Sequence, residues 1–168
     1  MNDIVENPYS APEADLEKPQ QANDLRVFTR FTTWAVFGLS IITLGFYTIY
    51  WLYNRTEKLN SIIEDKISKG YMIATTVVYI LSMLLSYAPL AVGQGSEMMI
   101  VAQPIISLVS AIMMLIWVFK FRNRLNRITQ SEGKPTWCGP ILTFFFQTLY
   151  LNYKINQNLD MRNSTDQA

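Results

Sequence analysis

The chain has 168 residues, 14 Lys+Arg against 13 Asp+Glu, no His and a single Cys. Those counts exclude a His/Cys metal site, a His-based catalytic triad and an internal disulfide. Charge is missing altogether from four stretches, 31–54, 70–96, 98–119 and 135–153, which together hold 92 residues. A soluble domain of this size would spread charge over every exposed helix face. About 20 helical residues cross roughly 30 Å of hydrocarbon, so charge-free runs of this length read as membrane segments, and the chain reads as an integral membrane protein.

Residues 1–24 hold six acids against Lys18, with Pro8, Pro12 and Pro19. So polar and acidic a segment has little to bury and is predicted to be a disordered tail. The first apolar run begins only at Phe31, after the acidic tail. No secretory signal peptide is therefore expected, and the first helix is retained.

The run 31–54 allows two readings. Unbroken, it would be a helix of about 36 Å, long enough to cross. With a break at Thr43-Leu44-Gly45 the first limb would reach only about 21 Å, too short to cross. The polar segment that follows, with Leu59, Ile62, Ile63 and Ile67 at helical spacing among Glu57, Lys58, Asp65, Lys66 and Lys69, predicts an amphipathic helix along the cytoplasmic membrane surface.

Residues 71–93 and 98–119 predict the central transmembrane helical hairpin, joined by a short turn with Gly93 and Gly95. Small residues four apart, Ser82 and Ser86 on one limb and Ser107 and Ala111 on the other, suit a close helix contact in lipid. Segments 54–70 and 120–136 carry nine Lys and Arg and the turn between the spans carries none. Both basic loops are therefore expected on the cytoplasmic side. Val118, Phe121, Leu125 and Ile128, among Arg122, Arg124 and Arg127, predict a second interfacial helix with its apolar residues toward lipid. Lys120, Arg122, Arg124 and Arg127 are its candidate anionic-lipid contacts.

The last apolar segment, 137–153, is weaker. Pro135 and Pro140 consume its start, and Gln147 and Asn152 interrupt it. It is read as non-crossing or strongly tilted. The chain thus divides into a tail (1–24), a helical membrane domain (25–160, apolar segments 31–53, 71–93, 98–119 and 137–153) and a polar tail (161–168). The fold class is all-α membrane protein: a central spanning hairpin, two further apolar segments that span or are re-entrant, and cytoplasmic interfacial amphipathic helices.

The chain also matches itself. Thr43, Phe46, Thr48, Tyr50, Tyr53 and Leu59 recur one hundred residues on as Thr143, Phe146, Thr148, Tyr150, Tyr153 and Leu159. Trp51, Leu59-Asn60 and Ile62 recur as Trp117, Leu125-Asn126 and Ile128. The unit is an apolar segment ending in aromatics that feeds a polar helix bearing Leu-Asn or Leu-Asp. Tyr47, Tyr50, Trp51 and Tyr53 suit a membrane interface, where a ring with one polar tip is at home.

Leu39-Ser40-Ile41, Thr43-Leu44-Gly45, Tyr47, Tyr50-Trp51 and then Leu59-Asn60 resemble the signature of a bacterial membrane family, domain of unknown function 4234, over roughly residues 26–160. Phe46 and Thr48 depart from it, replacing an Ile and a second Gly, which would lessen any sharp turn after Gly45. Asn7-Pro8-Tyr9-Ser10-Ala11-Pro12 resembles an amino-terminal Asn-Pro-Tyr-x-x-Pro element of small bacterial membrane proteins. The resemblance implies a multi-pass protein of the bacterial inner membrane and carries no chemistry.

No catalytic, cofactor or metal residues are assigned, and an enzyme is not expected. Glu57, Lys58, Glu64 and Asp65 are solvated charges of an amphipathic helix, and Cys138 is a small apolar residue. The expected function is a non-enzymatic interaction or membrane-organising protein. Its expected partners are the bilayer, anionic headgroups, a second copy or another membrane protein, and no nucleic acid. The alternative is a component of a transporter or channel for an uncoupled solute, its path lined by Thr75, Thr76, Ser82, Ser86, Gln103, Ser107 and Ser110. No ionisable residue lies in any apolar run to couple such a path.

Overall fold

Three residues, Thr43, Leu44 and Gly45, decide the shape of the first apolar run. The computed structural model describes residues 25–93 and 97–165, and the expected acidic tail lies outside them. After a short 3-10 turn, Leu25–Val27, helix α1 runs Thr33–Ile42 and stops. Leu44 and Gly45 take positive φ values of 52° and 96°, and α2 then runs Phe46–Ile62. Glycine adopts such a conformation at no steric cost, and a leucine does so only where its surroundings hold it.

The break reverses the chain. Arg55, far along α2, donates to the carbonyl of Thr29, just before α1. The Phe31 ring lies 6.4 Å from that of Tyr47, and Thr48 bonds Ser40 at 3.2 Å. The two limbs therefore run antiparallel. At ten residues α1 spans about 15 Å, half a bilayer. The reading of 31–54 as one unbroken helix is thus replaced by a hairpin, and Phe46 and Thr48 do not blunt the turn because it is complete at Gly45.

The central hairpin is as expected, with α3 at Lys69–Val92 and α4 at Glu97–Thr129. Both are long and apolar enough to cross a membrane, and only 11% of the most apolar window in each is buried. Soluble core helices bury such surface, so this exposure fits lipid better than water. Ser82 and Ser107 share a hydrogen bond of 3.1 Å across the pair, and Gln103 donates to Ser86. Ser82 and Ser110 are buried at the contact, whereas Ala111 is exposed and takes no part in it.

Helix α5, Pro140–Thr165, has a second reversal. Gln147 has φ 39° and ψ −118°, far from helical values. The limbs on either side, 140–146 and 148–165, fold back: Tyr150 accepts from the amide of Gly139 and donates to the carbonyl of Trp137, and Lys154 donates to that of Pro135. The second limb continues to Thr165, past the expected boundary at 160. Thr43 and Thr143, matched in the sequence repeat, play the same part, each hydroxyl donating to the carbonyl four residues earlier.

No separate surface helices form among the described residues. Ile63 and Ile67 lie beyond α2, where Ile63 is already extended. Residues 118–128 continue α4 without a break. Val118, Phe121 and Leu125 face protein rather than lipid: they are buried with Trp51, Leu52, Leu59, Trp117, Leu151 and Ile155 in one core at the basic end. Over 118–128 the helical period holds, but periodicity alone does not distinguish a protein partner from a lipid one.

Candidate functional site

The basic end is built on three asparagines. Asn60, near the end of α2, donates to the carbonyl of Ile67 and accepts from its amide, both at 2.8 Å. Asn126 on α4 does the same to Cys138, at 3.1 and 3.0 Å. Asn156 on α5 donates to the carbonyl of Phe31 at 2.8 Å and accepts from its amide at 3.4 Å. Phe31, Ile67 and Cys138 each stand two residues before a helix that leads away from this end: α1, α3 and α5 respectively. A side-chain amide carries a donor and an acceptor side by side, so it can pair with one residue's N–H and C=O as a neighbouring strand would. Each clamp fixes where an apolar segment leaves the core and satisfies backbone that no secondary structure pairs.

Two indole N–H groups connect the clamped helices. Trp117 donates to the Thr56 hydroxyl at 3.0 Å, joining α4 to α2. Trp51 donates to Asn152 at 3.3 Å, joining α2 to α5. Asn152 in turn donates to the Phe31 carbonyl and the Thr33 hydroxyl. Trp51 and Trp117, and Asn60 and Asn126, are the matched pairs of the shorter sequence repeat, and each pair does one job twice. The third clamp is Asn156 rather than the Leu159-Asp160 of the repeat. Asp160 instead pairs with Arg30 at 2.9 Å.

The family-motif residues each have a use here. Thr43 donates to Leu39 at the end of α1 and accepts from the Tyr47 amide at the start of α2, so one hydroxyl closes one helix and caps the next. The carbonyls of Leu44 and Gly45 accept from the hydroxyls of Tyr87 and Tyr79 on α3, at 3.1 and 3.0 Å, and that of Gly45 also accepts from the Thr48 amide at 3.1 Å. A Cβ on Gly45 would lie 3.1 Å from that Tyr79 oxygen. The Tyr47 and Tyr50 rings meet at a tilt of 43°, 5.8 Å between centres, Trp51 is buried, and Leu59 is fully buried beside Asn60.

The four candidate lipid contacts do not form one open patch. Lys120 sits 4.3 Å from the centre of the Tyr71 ring. Arg122 donates to the Cys138 carbonyl at 2.6 Å. Arg124 and Arg127 both engage the Asp65 carboxylate, at 3.0 and 3.2 Å. Of the three arginines Arg127 reaches furthest into solvent, and Arg124 is largely covered.

Arg55 is not one loop charge among several but a buried group of the core. Only 6% exposed, it stands over the rings of Phe28 and Trp51 at 5.5 and 5.7 Å. Burial pulls its pKa below the usual value, with the phenol of Tyr47 opposing, yet a guanidinium keeps its proton under all ordinary conditions. Its Nη1 is buried with no hydrogen-bond partner among the described residues. Cys138 is buried as expected of a small apolar residue, and burial pushes its thiol up to about 12.

Polar residues named for a solute path bond either across the α3–α4 pair, as Ser82, Ser107 and Gln103 do, or within their own helix. Thr75, Thr76 and Ser86 each donate to the carbonyl four residues earlier. No group of acidic, Cys or His side chains suited to a metal occurs among the described residues. A shallow cleft of about 300 Å³ between the two outer hairpins is lined by Thr33, Trp34, Phe146, Leu149, Tyr150 and Tyr153.

No curated protein and no solved structure matches the chain. The family model described as domain of unknown function (DUF4234) matches residues 31–127, from the first clamped residue to the last turns of α4, and stops short of α5. That span is more than half of the chain, and the chain belongs to this family.

Proposed function

We propose that this is a non-enzymatic, membrane-organising protein of the bacterial inner membrane, held by one spanning hairpin and two re-entrant ones. The carrying observation is the position of charge relative to exposed apolar surface. Every described Lys and Arg lies on segments that the clamps and ion pairs gather at one end. From that end the apolar limbs project with Trp34, Ile42, Ile141 and Phe145 exposed. Such a distribution suits a cytoplasmic base on anionic headgroups with limbs in hydrocarbon.

Re-entrance is supported by the turn at Leu44–Gly45. Irregular backbone is tolerated at membrane depth only where protein satisfies it, and Tyr79 and Tyr87 do so. With both outer segments re-entrant, all 14 basic residues of the chain share one side of the bilayer, in keeping with the positive-inside bias. The partner on the basic side is a second copy or another membrane protein.

Topology is tested by single cysteines, Ile42→Cys, Gly95→Cys, Phe146→Cys and Ala168→Cys, in a Cys138→Ala background, probed with an impermeant maleimide from each face. Residue 95 should label only from outside, residue 168 only from the cytoplasm, and residues 42 and 146 from neither. Labelling of residue 42 or 146 from outside would show a crossing segment and overturn the reading.

A further inference from the structure

The helices are shared unequally between the two halves of the bilayer. Tyr79 and Tyr87 stand ten and 18 residues into α3, about 15 and 27 Å from its start at Lys69, and their bonds to Gly45 and Leu44 set the tip of the first hairpin within the span, short of the outer end of α3. Between the basic end and that depth the chain has α1, α2, α3, α4 and both limbs of α5. Beyond it only α3 and α4 continue. Each helix is about 10 Å across with its side chains, so six cross-sections displace lipid in one leaflet and two in the other.

The unequal share is locked in place. The outer hairpins are bound to the spanning pair and to each other through Trp51–Asn152, Trp117–Thr56, Arg30–Asp160 and the three clamps. A loose hairpin would float to the interface, but these are tied at their bases, and the first also at its tip through Tyr79 and Tyr87. Its outward residues, Trp34, Phe37, Ile41 and Ile42 on the first and Ile141 and Phe145 on the second, are exposed and uncharged, so acyl chains are the medium that suits them.

We infer that the fold is a rigid wedge whose partner is a curved bilayer, and that it favours membrane bent so that its basic side is convex. The inference rests on the re-entrant reading above. Volume inserted into one leaflet expands that leaflet, and the strain is relieved where curvature already spreads its lipids, which is why one-sided insertion is curvature-sensitive. The spanning hairpin alone has no such bias.

The full chain, fluorescently labelled and reconstituted in giant vesicles of neutral and anionic phospholipid, provides the test. Narrow tubes are drawn from vesicles whose protein has its basic end outward, and the protein-to-lipid fluorescence ratio is compared between tube and parent vesicle. The expected result is enrichment on the tube of about twofold or more, with depletion for protein in the opposite orientation. Equal ratios, with residues 42 and 146 still unreachable by maleimide from outside, would overturn the wedge and leave re-entrance standing. Labelling of either residue from outside would overturn both.

Discussion

The Tyr79 hydroxyl donates to the carbonyl of Gly45, 34 residues earlier, at 3.0 Å. It is the second partner of a carbonyl that also accepts from the Thr48 amide at the start of α2. Tyr79→Phe should destabilise the folded chain by about 0.5–1.5 kcal/mol, the usual net contribution of one hydrogen bond, because the Thr48 amide still serves the acceptor. Gly45→Ala should cost a similar amount, since alanine at φ 96° is strained and its methyl would meet the same oxygen at 3.1 Å. A double-mutant cycle by denaturation in mixed micelles checks the coupling. Gly45→Ala should cost less in the Tyr79→Phe background, and strict additivity would argue against the contact.

The clamps predict a graded series. Asn60→Ala orphans both backbone groups of Ile67 and should cost about 2–4 kcal/mol. Asn60→Asp keeps the acceptor and loses the donor, so it should fall between Ala and wild type. Asn156→Ala should be milder than Asn60→Ala, because the Phe31 carbonyl still accepts from Asn152. Unfolding midpoints of the purified variants rank the three.

Asp65→Asn breaks both ion pairs to Arg124 and Arg127, yet the carboxylate is more than half exposed. Exposed pairs contribute well under about 1 kcal/mol, so the midpoint should barely move. Raising salt should narrow even that difference, which a paired measurement at low and high ionic strength would show.

Cys138 predicts a pH dependence of defined sign. Its thiol is held protonated by burial, from an ordinary 9.0 up to about 12. A thiol raised in the folded state contributes stability that is fully present below pH 9 and is lost as pH climbs toward 12. Cys138→Ala should therefore lose less stability than wild type between those values. At neutral pH the folded protein should resist thiol alkylation, and it should react once unfolded.

Much of the fold is legible in the chain because lipid imposes a simple rule, the exclusion of charge. The two long spans and the turn between them follow from it, whereas Thr43-Leu44-Gly45 leaves the first run open between an unbroken helix and a broken one. The direction taken after the break is not legible, since it depends on Tyr79 and Tyr87, which lie 34 and 43 residues away from the carbonyls they satisfy. The Leu-Asn repeat pointed to Asn60 and Asn126, but nothing in it told that they bind backbone rather than face water. Asn156 falls outside the repeat, and only the contact with Phe31 reveals it. Apolar positions of 118–128 were spaced correctly for a buried stripe, and the error lay in assigning lipid as the neighbour.

The pairing of the Leu44–Gly45 turn with tyrosines of α3 also sets an order of assembly. The first hairpin leaves the ribosome before Tyr79 and Tyr87 have been synthesised, so its bend has no hydroxyls to complete it. The spanning pair, by contrast, needs nothing beyond itself to satisfy its backbone. On the re-entrant reading proposed above, biogenesis would run against chain order: the segment made first would wait at the surface and be the later one to be seated, once the middle of the polypeptide had crossed.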